Sequence, residues 1–213
     1  MALQHVLPTS KKTLFAKERQ REDVQKERLR RDEEIKDTDP ERLVFLDETS
    51  ANCGMARLYG RAMSNERVYD YVSDVRFKRT GIVSAVRLNG GSVPFMFKGT
   101  LDGDLFIGYI ENFLAPTLRK GDISVLDNAS AHKKHESEMM GILEERGAEA
   151  RFLPRFSPDK NPKENAWSKF KSALRKLKAR TEEALAAAAG VALDFAPDDL
   201  KGWFGHCGYE VNA

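Results

Sequence analysis

Cysteine is scarce: the 213-residue chain has two, Cys53 and Cys207, far apart and outside any CxxC spacing. That excludes a disulfide framework and a thiolate zinc site, and it suits a reducing compartment. No run of eighteen apolar residues occurs, and the opening MALQHVLPTSKKTLFAKERQ lacks the apolar stretch of a secretory signal. A soluble, cytoplasmic, non-membrane protein is therefore expected. Also missing are GxxxxGK[ST], GxSxG and any His/Cys pair at zinc spacing, which removes P-loop, serine-hydrolase and zinc chemistry. His206-Cys207 stands alone and offers no activated thiol. A strong excess of one charge is lacking too, the formal net charge being only +2. Its distribution is uneven, however, because residues 151–180 carry ten Lys or Arg against two acids. Such asymmetry points to a polyanionic partner or to a solvated helix face.

What the chain does contain is enough apolar residue, 41%, for one globular core. Residues 14–37 are rich in helix formers and charge with few apolar anchors, and read as an exposed helical arm. Asp39-Pro40 breaks it. Leu43 to Leu46 form a short buried-strand run ending on Asp47-Glu48. TGIVSAVRL (80–88) and SVPFMFK (92–98) flank Asn89-Gly90-Gly91, a hairpin turn and not a phosphate cradle. A helix follows from an Asp102 cap to Leu114, then a strand at ISVLD (123–127), a helix at 132–146, a strand at 150–154 and a helix at 162–178. Two short helices, about 182–194 and 197–204, close the chain. This βββαβαβα order defines an α/β, ribonuclease H-like mixed sheet with helices on both faces, in which the first and fourth strands lie side by side. The organisation expected is an arm or linker at 1–39, the main domain at 40–209 and a tail at 210–213.

The chemistry-bearing residues are three carboxylates at element ends: Asp47, Asp127 and Glu164. The topology brings the first two together across eighty positions. Hard oxygen donors of this kind suit Mg²⁺ or Mn²⁺. Each acid also has a structural reading. Asp is common where a strand enters a turn, and Asn161-Pro162-Lys163-Glu164 is a capping-box pattern in which Glu164 could bond the Asn161 amide. Against that, the helical phase places Glu164 with Trp167, Phe170, Leu174 and Leu177 on a face turned toward the body. Asn128 and His132 flank the second acid as accessory candidates, Glu48 reads as structural, and Trp167 and Phe170 read as core. Lys160, Lys163, Lys169, Lys171, Arg175, Lys176 and Lys178 are candidate contacts to the phosphates of a polyanion.

LDET, LDNASAH and LPRFSPDKNPKENAWSKFK resemble the catalytic domain of the mariner-related insertion-sequence transposases, whose active site is a DDE triad. The resemblance spans residue 11 to about residue 209, from KKTLFAKERQREDV to FGHCGY. It implies that Asp47, Asp127 and Glu164 are the catalytic and metal-binding triad of a Mg²⁺-dependent (or Mn²⁺-dependent) DNA endonuclease and strand transferase. Two ions about 3.5–4 Å apart, with Asp47 bridging, would serve in-line displacement at phosphorus. It further implies double-stranded DNA as the polyanionic partner (transposon ends and targets, TA sites among them), a homodimer in the DNA complex and a nucleoid-associated location. Three departures stand out: two extra residues between Asp127 and Glu164, Lys160 and Lys163 in place of apolar residues, and only MALQHVLPTS where a helix-turn-helix region precedes KKTL in the family. The last suggests a separately encoded helix-turn-helix partner. The alternative expectation is a truncated, non-catalytic remnant that binds DNA or multimerises.

Overall fold

The computed structural model describes residues 16–36, 38–57, 59–63, 66–72, 77–128 and 135–211. Its centre is a five-stranded sheet of β1 (Leu43–Ala51), β2 (Thr80–Arg87), β3 (Ser92–Lys98), β4 (Ile123–Leu126) and β5 (Glu149–Phe152), in the order β3-β2-β1-β4-β5. β1 pairs antiparallel with β2 and parallel with β4, and β5 extends the parallel half. The expected adjacency of first and fourth strands is present, as is the α/β mixed sheet.

The central strands β1, β2 and β4 are buried on both faces, which is why they read as continuous apolar runs and not as alternating ones. Leu43, Phe45, Ile123 and Val125 face one cluster. It is completed by Trp167, Phe170 and Leu174 of α4 (Pro162–Leu177), with Leu185 of α5 (Glu182–Ala192) and Phe204 of α6 (Pro197–His206). Val44, Leu46 and Leu126 face the other cluster, made with Phe106 of α2 (Gly103–Tyr109), Ile110 and Leu114 of its π-helical continuation, and Met139 and Leu143 of α3 (Glu136–Glu145). Asp102 caps α2 as expected, accepting from the Leu105 amide at 2.9 Å.

Two expectations need correction. β1 does not end at Asp47 but runs on to Ala51, because β2 keeps pairing with it as far as Ala51↔Thr80. The N-terminal helix α1 (Glu22–Lys36) is not an exposed arm. Val24 is fully buried and Arg28 and Arg31 nearly so, since the helix lies against the loop at residues 154–160 and exchanges ion pairs with it.

Candidate active site

β1 and β4 are in parallel register at Leu43↔Ile123 through Phe45↔Val125. Continuing that register sets Asp47 level with Asp127, and strand alternation turns both toward the face that carries α4. β4 stops at Leu126 while β1 continues, so a gap opens at the carboxyl ends of two parallel strands, a common position for ligand sites in such sheets. Glu164 enters from the first turn of α4. Asp47, Asp127 and Glu164 line one cavity of about 480 Å³, closed on its far side by residues 153–158 and Asn161.

Asp47 is 8% exposed. Its Oδ1 accepts from the Glu48 amide at 2.8 Å and its Oδ2 from Asn161 Nδ2 at 3.0 Å. Burial, and after it the negative charges of Glu48, Glu164 and Asp127, push its carboxyl up to about 7. Asn161 is a link that sequence reasoning missed beyond its capping role. Its Oδ1 caps α4 by accepting from the Lys163 amide at 3.1 Å while its amide group holds Asp47, so the helix start and the β1 acid are fixed to each other.

Glu164 does not occupy the reciprocal capping position: the Asn161 amide donates instead to Pro158 O at 3.1 Å. Nor does it lie on the core stripe. The inward positions of α4 are Lys163, Ala166, Trp167, Phe170 and Leu174, at i, i+3, i+4, i+7 and i+11, so the buried face lies one position N-terminal to the expected phase. Glu164 is exposed and faces the cavity; Leu177 is exposed as well. Trp167 and Phe170 are core as expected.

The same phase corrects Lys163. It is completely buried, with its ammonium 3.8 Å from the centre of the Trp167 ring, and so cannot meet DNA phosphates from solvent. Burial pulls it down to about 7, against the opposing pull of Asp47. Lys160, Lys169 and Lys178 are held by Asp32, Asp199 and Asp70. Lys171, Arg175 and Lys176 make no ion pair among the described residues. Asn128 lines the cavity but donates its side-chain amide to Leu153 O, bridging the ends of β4 and β5. His132 lies outside the described residues.

Among the described residues no three His, Cys, Asp or Glu side chains converge closely enough to enclose a metal ion. The donor set nonetheless fits a divalent cation. The acids are oxygen donors of one sign around a single cavity, and the Asp47 carboxyl is raised by burial and, after it, by its acidic neighbours, a cost that a cation would relieve.

The sequence matches the family of DDE superfamily endonucleases over residues 42–186, and the chain belongs to that family. No curated protein matches it. Among solved structures it is similar to the Mos1 strand transfer complex, with TM-score 0.66 and 16% identity over 97% of this chain and 67% of that one. Similarity to the mariner Mos1 paired end complex with Mg has TM-score 0.70 at 14% identity, covering 96% of this chain and 65% of that one. The catalytic domain of Mos1 mariner transposase aligns at TM-score 0.58 and 15% identity, over 92% of this chain and 98% of that one. At these identities the likeness establishes the ribonuclease H-like fold.

Proposed function

We propose that this chain is the catalytic domain of a mariner-related insertion-sequence transposase that cuts DNA at the element's ends and joins the freed 3′ ends to target DNA. The observation that carries the reading is that Asp47 of β1, Asp127 just past the end of β4 and Glu164 of the first turn of α4 line one cavity. Family membership and the Mos1 complexes with Mg and Mn support it. Asp47, Asp127 and Glu164 would hold two Mg²⁺ or Mn²⁺ ions, whose chemistry is to neutralise charge at phosphorus and to make water and a 3′-hydroxyl competent nucleophiles. This chain's own residues prepare that chemistry. Asn161 keeps Asp47 from turning, the β1–β4 register keeps Asp47 level with Asp127, and the α4 cap sets where Glu164 enters. Pre-set geometry of this kind removes reorganisation from the chemical step. By analogy with the Mos1 paired-end and strand transfer complexes, the working form brings two DNA ends together on a pair of these chains, and the family resemblance adds a helix-turn-helix module, supplied on this or another chain, to recognise them.

The test is Mg²⁺-dependent nicking of duplex DNA carrying the element's terminal inverted repeat. Wild-type protein, alone or together with any separately encoded end-recognition partner, is expected to cut. Asp127→Asn, with its fold checked by circular dichroism, should lose at least about a hundredfold in rate, in line with removal of one electrostatic element of such a site. Equal cutting by both proteins would sink the assignment.

A further inference from the structure

A second cavity, of about 290 Å³, shares a wall with the carboxylate cavity: Asn128, Leu153, Pro154 and Arg155 line both. Its remaining side comes from α1, through Glu27, Arg30, Arg31 and Glu34. Within this lining the two acids are already engaged. Glu27 takes Arg155 in a two-bonded fork with a shortest contact of 2.7 Å, and Glu34 takes Arg30 at 2.8 Å. Arg31 is left over. It is 4% exposed, its nearest carboxylate oxygen is Glu34 Oε2 at 3.8 Å, and among the described residues neither Nε nor Nη2 has an acceptor.

Those two nitrogens are the side-on pair of a guanidinium, whose N–H bonds run parallel and match two oxygens of one phosphate. A buried cation without an acceptor is costly to the fold, and an arginine cannot relieve the cost by losing its proton at neutral pH. An incoming anion would supply what the protein lacks. Because the cavity adjoins the three acids, the anion that fits is attached to whatever the acids act on.

We propose that this second cavity is a phosphate subsite, in which Arg31 takes a backbone phosphate of the DNA strand adjoining the phosphate held at Asp47, Asp127 and Glu164. The proposal rests on the nuclease reading of the first cavity. It gives α1 a part in substrate binding, and it makes Arg31 a contact that positions the strand without specifying its sequence. Arg155 stands in the shared wall, with its guanidinium turned to Glu27 and Asp23 of α1. A strand laid across that wall would therefore touch the helix and the loop together.

The test uses the whole chain and end-carrying duplexes that differ only in one uncharged methylphosphonate, placed in turn at each phosphate flanking the cut. Binding is measured in Ca²⁺ to prevent turnover. For wild type, one flanking position is expected to weaken binding about tenfold when neutralised. Arg31→Met should bind the unmodified duplex about as weakly, and should no longer respond to neutralisation at that position while still responding elsewhere. Arg31→Lys, which keeps charge but not the fork, should lie between. The same interference map for wild type and Arg31→Met would overturn the proposal. If Arg31→Met does not fold, the Arg31 Nε–H resonance of wild-type protein decides: it should shift on addition of sodium sulfate, and an unmoved resonance overturns the subsite. Failure of wild type to bind any end-carrying duplex would instead remove the DNA reading itself, while a wild-type map that Arg31→Met leaves unchanged removes the subsite alone.

Discussion

Asp47 of β1, bonded to the α4 cap Asn161, and Lys163 in the first turn of α4 are both buried and of opposite charge type, and each is moved from its ordinary titration range chiefly by burial. Their effects on stability have opposite signs. Asp47 is raised from 3.8 to about 7, so between those values the folded protein holds a proton that the unfolded chain has released. Stability therefore falls as pH rises through that window. Lys163 is lowered from 10.5 to about 7, so above 7 the unfolded chain holds the extra proton and stability climbs with pH. The metal-free protein should be least stable near neutrality. Melting temperatures recorded in EDTA from pH 4 to 10 check this. Asp47→Asn should flatten the acid side of the valley, Lys163→Met the alkaline side, and Mg²⁺ should raise the floor near pH 7 more than the value at pH 4. Each kcal/mol is worth about 2–4 °C in a protein of this size. A profile that rises from pH 4 to 7 in EDTA would contradict the burial argument for Asp47.

The element that organises the third acid is α1. Arg28 forks Asp159 with bonds of 3.1 and 2.7 Å, and Arg19, in the turn just before the helix, adds a third at 3.1 Å. Arg155 forks Glu27 and reaches Asp23 at 2.8 Å, and Lys160 meets Asp32 at 2.7 Å. These contacts grip the loop that leads directly into the Asn161 cap. Surface ion pairs are worth little singly, but the Arg28 side chain is only 9% exposed and its fork is two-bonded. A double-mutant cycle of Arg28→Met and Asp159→Asn should give a coupling of about 1–2 kcal/mol in urea unfolding, within the range for contacting residues in one network. Amides at 155–160 should exchange faster in either single variant; a coupling near zero would mean that α1 leaves the loop unsupported. This docking was not legible in the sequence, because a helix that packs through the stems and charges of arginines has the same composition as one facing water. The strand order was legible, since buried parallel strands and a hairpin turn leave local marks. Asp47 and Asp127 were legible as a pair for the same reason, through topology. The phase of α4 was not: with Lys163 on the buried stripe, a polar residue occupies a core position, and the apolar pattern misleads by one residue.

At the scale of the whole molecule, the basic run at 151–180 is largely cancelled by the fold. Arg151 is paired with Glu149, Arg155 with Asp23 and Glu27, and Lys160, Lys169 and Lys178 with Asp32, Asp199 and Asp70. Arg180 donates to the Cys53 and Met55 carbonyls, and Lys163 is enclosed. Of the seven residues that the sequence nominates for DNA phosphates, Lys171, Arg175 and Lys176 are left without an ion pair among the described residues. The number of counterions released on binding is set by the charges that reach phosphate, not by the charges in the run. Seven contacts would give a slope of log K against log salt of about −6, whereas three contacts give about −3, and the Arg31 subsite adds roughly one more unit. Fluorescence anisotropy on a non-specific duplex, titrated with NaCl, should therefore return a slope between about −3 and −4. Replacing Lys171, Arg175 or Lys176 by Gln should each lower its magnitude by about 0.9, and Lys163→Gln should leave it unchanged. A wild-type slope near −6 would mean that the acid partners yield their lysines to DNA, and the surface pairs would then be a reserve of binding charge and not fixed parts of the fold.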